Sequence, residues 1–218
     1  MKHGTEVDAY YYVAVATKEK CRHQGMMRRL LYKSLNDIHN EGHPFAYLMP
    51  ANRAIYEPFD FRIVYQQKKV DLPHTPEMAN EKMAELFDVY TLQDDWYVEK
   101  MLEEERVCAG DPPFDIVPYI MMRITHVERM LGLLRSEQPM KIVMNVQDNI
   151  IEENNGRFLW EISQEDSRCQ KIEGDAAVEA EEISADIAEL TEFVFGKREI
   201  KRLEGVRVLS RICINEAV

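Results

Sequence analysis

The residues best placed to do chemistry fall in one stretch, Val13-Ala14-Val15-Ala16-Thr17-Lys18-Glu19-Lys20-Cys21-Arg22-His23-Gln24-Gly25-Met26-Met27. An apolar run ends in a short polar loop, and Gly25 stands where a helical pattern begins. Successive backbone N–H groups at a helix start favour an anion, and a residue without a side chain lets a phosphate reach the backbone. Arg22 adds a guanidinium, whose fork matches phosphate oxygens. The same residues also describe an ordinary strand-to-helix turn with Gly25 as its N-cap. Tyr56 lies in a short helix or turn at Asn52 to Phe59 and by itself reads as a residue packing on the sheet. His39 and His43 are four apart, but Asn40 follows the first where a zinc protease has Glu, and Gly42 ends the helix between them. No metal is expected. The acids at Glu103 to Glu105 and at Glu179, Glu181 and Glu182 read as solvated faces.

These residues need a frame. Ala9 to Thr17 is β-branched and aromatic, which predicts a buried strand. From Gly25 to Asn40 the period changes: Met26, Met27, Leu30, Leu31, Leu35 and Ile38 share one helical face, and Gly42 with Pro44 stops the helix. Phe45 to Met49 and Phe61 to Gln66 read as further strands. A polar connector follows, with acidic amphipathic helices at Pro76–Tyr90 and Asp94–Arg106, and it breaks at Ala109-Gly110-Asp111-Pro112-Pro113. Beyond it, Tyr119 to Ile124 reads as a strand. Thr125-His126-Val127-Glu128 has capping-box form. Met140–Val146, Arg157–Ser163, Arg168–Glu173 and Ala176–Glu181 read as a meander, with a turn at Asn154-Asn155-Gly156. Ser184 is placed to cap a helix running to Phe195, and Leu209 to Ile214 closes the chain as a strand. The fold class is α+β: an α/β layer over 1–67, a helical connector over 68–118, and an α+β part over 119–218.

Composition narrows the function. Lys and Arg number 27 against 39 Asp and Glu, a formal charge of −12. The densest basic runs, Arg28-Arg29 and Lys197 to Arg202, are short, so no nucleic-acid partner is expected, and the field suits cationic partners such as amines. The four cysteines are far apart with no Cys-x-x-Cys pair, which excludes the usual structural zinc and points to a reducing, cytoplasmic setting. Uncharged stretches such as the nine residues Ala9 to Thr17 fall far short of the roughly 20 of a membrane helix, so no membrane partner is expected.

The loop resembles the coenzyme A pyrophosphate loop of the GNAT acyltransferase superfamily, Arg/Gln-x-x-Gly-x-Gly/Ala, here Arg22-His23-Gln24-Gly25-Met26-Met27. Its flanks are similar to the branch containing the enhanced-intracellular-survival aminoglycoside acetyltransferases. Tyr47-Leu48-Met49-Pro50 followed by Tyr56 and Phe59-Asp60-Phe61 resembles the next strand, proline, tyrosine and Phe-Gly-Phe of that branch. Residues 119–218 are similar to its closing sterol-carrier-like domain, through Met122-Arg123-Ile124, Val127-Glu128, Asn154-Asn155-Gly156 and Cys213-Ile214-Asn215-Glu216-Ala217-Val218.

The resemblance implies acetyl transfer from acetyl-CoA, as co-substrate and without a metal, to an amine. The N–H groups of Arg22, His23, Gln24, Gly25, Met26 and Met27 would hold the pyrophosphate. Val13, Ala14 and Val15 would line the pantetheine arm and polarise the thioester. Tyr56 would protonate the leaving thiolate, and the terminal carboxylate, here Val218, would serve as base. Relative to the family pattern the chain lacks strands and two helices ahead of Ala9, the connector is short, Asp60 replaces a glycine and Met27 a Gly/Ala. An open edge at residues 10–16 is therefore expected, and with it self-association into a homo-oligomer. A non-enzymatic coenzyme-binding or assembly subunit is the alternative. Lipid carriage by the last part is a third reading, but the alternating Met140, Ile142, Met144, Phe158, Trp160 and Ile162 are explained by core packing.

Overall fold

Two small mixed sheets share one apolar core, and the strand that joins them in sequence lies in the middle of the first. The computed structural model describes residues 4–66, 75–107, 119–174 and 179–214. In the first sheet the strands are β1 (Tyr10–Tyr12), β2 (Phe45–Leu48), β3 (Arg62–Gln66) and β5 (Tyr119–Ile124), with the short β4 (Val89–Tyr90) elsewhere. Their order is β1-β2-β5-β3. The first pair is parallel, while β5 runs antiparallel to both of its neighbours. A strand from beyond the connector thus completes the sheet begun by the N-terminal segment.

Helix α1 (Met26–Glu41) has the expected span because both ends are fixed by glycine, but Met26 and Leu30, expected on its apolar face, are turned off the core and are 43% and 59% exposed. Gly25 at φ 70° starts it and Gly42 at φ 82° ends it, the Gly42 N–H reaching the His39 and Ile38 carbonyls. Its inner face buries Leu31, Leu35 and Ile38 against Phe59, Phe61 and Met121. Each such side chain contributes about 1.5–3 kcal/mol by leaving water.

The connector forms α2 (Pro76–Leu86) and α3 (Asp95–Val107). Tyr90, expected at the end of a helix, lies instead in β4, parallel to β12 (Ile212–Cys213). Next come α4 (Val127–Gly132) and β6 (Arg135–Ser136), which pairs with β11 (Val206–Arg207). The second sheet contains β7 (Met140–Gln147), β8 (Gly156–Ile162), β9 (Ser167–Ile172) and β10 (Glu181–Asp186), in the order β10-β7-β8-β9. Helix α5 (Ile187–Val194) leaves β10 and packs on β5 and β3. The main core gathers Tyr47 and Val64 of the first sheet, Met144 and Trp160 of the second, and Phe193 of α5.

Several local expectations need correction. The first strand stops at Tyr12 and does not run to Thr17: its partner β2 ends just before Pro50, which has no N–H for a ladder, and Ala14 turns to φ 53°. It is an edge strand, with Val13 54% exposed. Thr125 does not cap α4. His126 occupies the N-cap without a side-chain bond, and the Thr125 hydroxyl donates to the His43 carbonyl at 2.6 Å. The fourth strand of the expected meander begins at Glu181 and pairs parallel to β7 on the far edge, since Ile183 and Ala185 must face the core under α5. Part of the expected segment, 175–178, lies outside the described residues. Asp186, not Ser184, caps α5, in a reciprocal box with Glu189.

Candidate functional site

The loop between β1 and α1 is shaped by three residues in the left-handed region. Ala14 is at φ 53°, His23 at φ 60° and Gly25 at φ 70°. Between them Glu19–Cys21 makes one 3-10 turn, with the Cys21 N–H on the Lys18 carbonyl at 2.8 Å and the Arg22 N–H on the Glu19 carbonyl at 3.1 Å. Side chains brace the loop from within: Arg22 Nε donates to the Thr17 carbonyl at 3.4 Å, Gln24 Nε2 to that of Lys20 at 3.0 Å, and Arg29 Nη2 to that of Gln24 at 3.3 Å. The first backbone bond of α1 is Arg29 N–H to the Gly25 carbonyl, 3.1 Å. The amides of Met26, Met27 and Arg28 therefore have no carbonyl inside the helix and remain available to an acceptor. No atom lies within 4 Å of where a Gly25 Cβ would be, so the loop is open at the point where an anion would approach.

Beside it is an open cleft of about 170 Å³ lined by Val15, Thr17, Lys18, Cys21, Met27 and Leu30, among others. Its walls are apolar and its rim carries Lys18, a combination suited to a thioester-bearing arm with a charged end. The cleft is tied to the sheet by Tyr12, whose hydroxyl donates to Ser34 Oγ at 2.8 Å and whose ring meets Phe61 edge-on.

Tyr56 is held between two 3-10 turns, Arg53–Ile55 and Glu57–Phe59. Asn52 caps the first through the Ala54 N–H at 3.0 Å, and the Tyr56 N–H closes it on the Arg53 carbonyl at 2.9 Å. The second ends in Asp60 at φ 64°, a left-handed position where the family pattern has glycine. Arg62 and Arg123 fasten this corner by donating to the Glu57 and Phe59 carbonyls at 3.2 and 2.9 Å. The Tyr56 ring is buried, edge-on to Phe61, in the cluster that holds Leu31 and Leu35 and against which Met27 packs. Burial raises its phenol above the ordinary value near 10, so it stays protonated at neutral pH. Tyr56 and the start of α1 are thus parts of one packed unit.

Residues 2–64 match the acetyltransferase (GNAT) domain family, and residues 127–213 match the sterol carrier protein domain family. The chain therefore carries segments similar to a GNAT acetyltransferase domain and to a sterol carrier protein domain. No curated protein matches its sequence. Among solved structures, a conserved protein of Enterococcus faecalis described as a "probable N-acyltransferase" superposes with TM-score 0.64 at 13% identity, over 94% of this chain and 77% of that one. A GCN5-related N-acetyltransferase of Anabaena variabilis gives 0.63 at 14% identity, over 93% and 76%. Eis1 of Mycobacterium abscessus gives 0.58 at 15%, over 95% and 77%. These likenesses are of fold.

The expected site residues separate into two groups. Arg22 to Met27 and Tyr56 belong to one layer, joined through Met27. Val13, Ala14 and Val15 are near that loop, but Val13 and Ala14 face solvent and lie outside β1. Val218 lies outside the described residues, which end at Ile214. Ile214 is buried in the main core, and the neighbouring Cys213 thiol accepts from Tyr65 of β3 while burial pushes its pKa up. Lys18 and Cys21, which line the cleft, carried no role in the sequence reading; their place in the loop was the only signal. Among the described residues no group of three or more His, Cys, Asp or Glu is placed to hold a metal, and no helix is long and apolar enough to cross a membrane. His39 Nδ1 bonds the Thr125 carbonyl at 2.8 Å and His43 Nδ1 that of Asp8 at 3.2 Å.

Proposed function

We propose that the chain moves an acetyl group from acetyl-CoA to an amine by direct attack. The observation that carries this reading is the left-handed Gly25 opening α1, with unclaimed amides at Met26 to Arg28, inside the segment that matches the acetyltransferase domain. The residues present suit the coenzyme: amides and Arg22 for the pyrophosphate, and the cleft along Val15 and Met27 for the arm. When bound, acetyl-CoA supplies the activated acyl carbon.

The amine nitrogen bonds to that carbon, the carbonyl oxygen gains charge, and an aimed N–H stabilises it. The carbon–sulfur bond then breaks, and the departing thiolate takes the proton of Tyr56. The proton lost by the amine goes to a carboxylate, assigned through the family resemblance to Val218. The acceptor is a cationic small molecule drawn by the acidic surface. The chain works in the cytoplasm as a homo-oligomer. A second reading, a coenzyme-binding subunit without turnover, is favoured by the departure from strand geometry at Ala14, which leaves no extended strand along the thioester.

Calorimetric titration of the full chain with acetyl-CoA, beside an Arg22→Ala/Gly25→Asp variant, tests the site. Binding at tens of micromolar or tighter, lost in the variant, is expected. A folded wild type that does not bind overturns both readings. Binding without turnover on a panel of amines leaves the second.

A further inference from the structure

The proposed coenzyme cleft has two walls made by different parts of the chain. Val15, Thr17, Lys18 and Cys21 form the outer one, and Met26, Met27 and Leu30 of α1 form the inner one. The inner wall is anchored, because Leu31, Leu35 and Ile38 bury the helix against the sheet. The outer wall hangs from β1, an edge strand that meets β2 through three residue pairs, Tyr10–Ala46, Tyr11–Tyr47 and Tyr12–Leu48. Two residues past the last pair, Ala14 turns to φ 53° and the chain leaves the direction of the strand. A segment attached so lightly keeps its place only if its starting point is fixed by something else.

Tyr12 is that starting point, and its side chain is held at both ends. The ring meets Phe61 edge-on, with centres 6.0 Å apart and planes at 82°, and Phe61 is fully buried. The hydroxyl crosses to α1 and donates to Ser34 Oγ at 2.8 Å, over a separation of 22 residues. Ser34 stands four residues after Leu30, one turn further along the same helix. The bond therefore joins the strand that carries one wall to the helix that carries the other. Burial raises the Tyr12 phenol above its ordinary value of 10, with the Ser34 bond opposing, so the donor keeps its proton at neutral pH. Phe61 is also edge-on to Tyr56, with centres 6.2 Å apart, so this strut and the proposed acid rest on one ring.

We propose that Tyr12 and Ser34 are positioning residues of the coenzyme site, their hydrogen bond setting the separation of its two walls. Neither is among the residues that line the cleft, and both act through those that do. The inference rests on the acetyl-CoA reading of that cleft. With the bond in place, the walls stand ready for the pantetheine arm. Without it, the arm must order the outer wall as it binds, and affinity falls accordingly.

Calorimetric titration of the full chain with acetyl-CoA is compared for wild type, Tyr12→Phe, Ser34→Ala and the double variant. Tyr12→Phe keeps the ring on Phe61, and Ser34→Ala suits a helix, so the bond is removed from either side with the packing intact. Melting curves check that each variant is folded. The expected result is binding about fivefold weaker in each single variant, the worth of a neutral hydrogen bond, with no further weakening in the double. Without ligand, the amides of residues 13–18 should exchange with deuterium faster in both single variants than in wild type. A bond that serves only the fold would lower the melting temperature and leave the affinity of the folded protein unchanged. That result in a wild type that binds, losses that add in the double variant, or unaltered exchange at 13–18 overturns this proposal and leaves the acetyl-CoA reading standing. A folded wild type that does not bind acetyl-CoA overturns that reading, and this role falls with it.

Discussion

Arg123 Nη2 lies 2.6 Å from Asp148 Oδ1, and neither side chain has any exposed surface. The pair ties the central strand of the first sheet to the loop that precedes β8 in the second. Its remaining valences are filled. Arg123 also donates to the Phe59 and Ile124 carbonyls at 2.9 and 2.8 Å, and Asp148 accepts from the Ile150 and Ile151 amides and from Asn154 Nδ2. Asn154 in turn donates to the Thr125 carbonyl and accepts from the Val127 N–H. The Arg123 bond to Phe59 reaches the corner that holds Tyr56, so a pair remote from the coenzyme loop braces the proposed acid.

Replacing one partner leaves a buried charge alone. Arg123→Met or Asp148→Asn is expected to cost about 3–5 kcal/mol in urea unfolding. The double variant should lose less than the two single losses added together. Full additivity would mean that the two groups do not interact.

Tyr56→Phe keeps the ring that packs on Phe61 and removes the proton. With an acceptor in hand, kcat should fall about 100-fold or more while the melting temperature hardly moves. Because burial raises the phenol, wild-type kcat should not decline from ionisation of this group below pH 10. An unchanged kcat in the variant would remove Tyr56 from the mechanism.

Asp60 combines a left-handed backbone with a partly buried carboxyl whose pKa is raised above 3.8 by burial, with Arg123 opposing. A raised carboxyl is harder to ionise folded than unfolded, so it destabilises the fold at neutral pH and ceases to do so in acid. Asp60→Gly should therefore stabilise the protein by about 1 kcal/mol at pH 7, and by less in acid. Thermal unfolding at two pH values reads this directly.

His126 stacks on His39 with ring centres 4.5 Å apart, and its Nδ1 is buried without a partner among the described residues. Burial, helped by His39, lowers its pKa from 6.5 to about 4. Protons then bind the unfolded chain first, so stability is lost as pH falls from 6.5 towards 4, by about 2–3 kcal/mol from this group. His126→Phe, which keeps a ring in the stack, should flatten that slope and match or exceed wild-type stability at pH 6. A slope as steep as wild type would exclude His126 as its source.

Local signals were legible and non-local ones were not. The period of Leu31, Leu35 and Ile38, with glycine at either end, is written within 18 residues, and α1 follows it. The proposed coenzyme loop is equally local. The end of β1 is illegible from its own residues, because it depends on Pro50 just past a partner strand 36 residues away. Arg123 stands in the apolar run Ile120 to Ile124, which signals a buried partner, but only the topology identifies Asp148. For β10, alternation at Ile183 and Ala185 predicts one buried face and says nothing of which edge it joins.

The position of β5 bears on how the chain is made. On the ribosome, the segment bearing the coenzyme loop emerges with β2 and β3 unable to meet, since the strand between them is Tyr119–Ile124. The sheet must wait for about half the protein to be synthesised, with two apolar edges open in the meantime and exposed to aggregation. A gene cut at the connector would yield a first product missing its middle strand and a second product starting with that strand unpaired. Halves supplied separately should therefore regain the fold only when they are produced together.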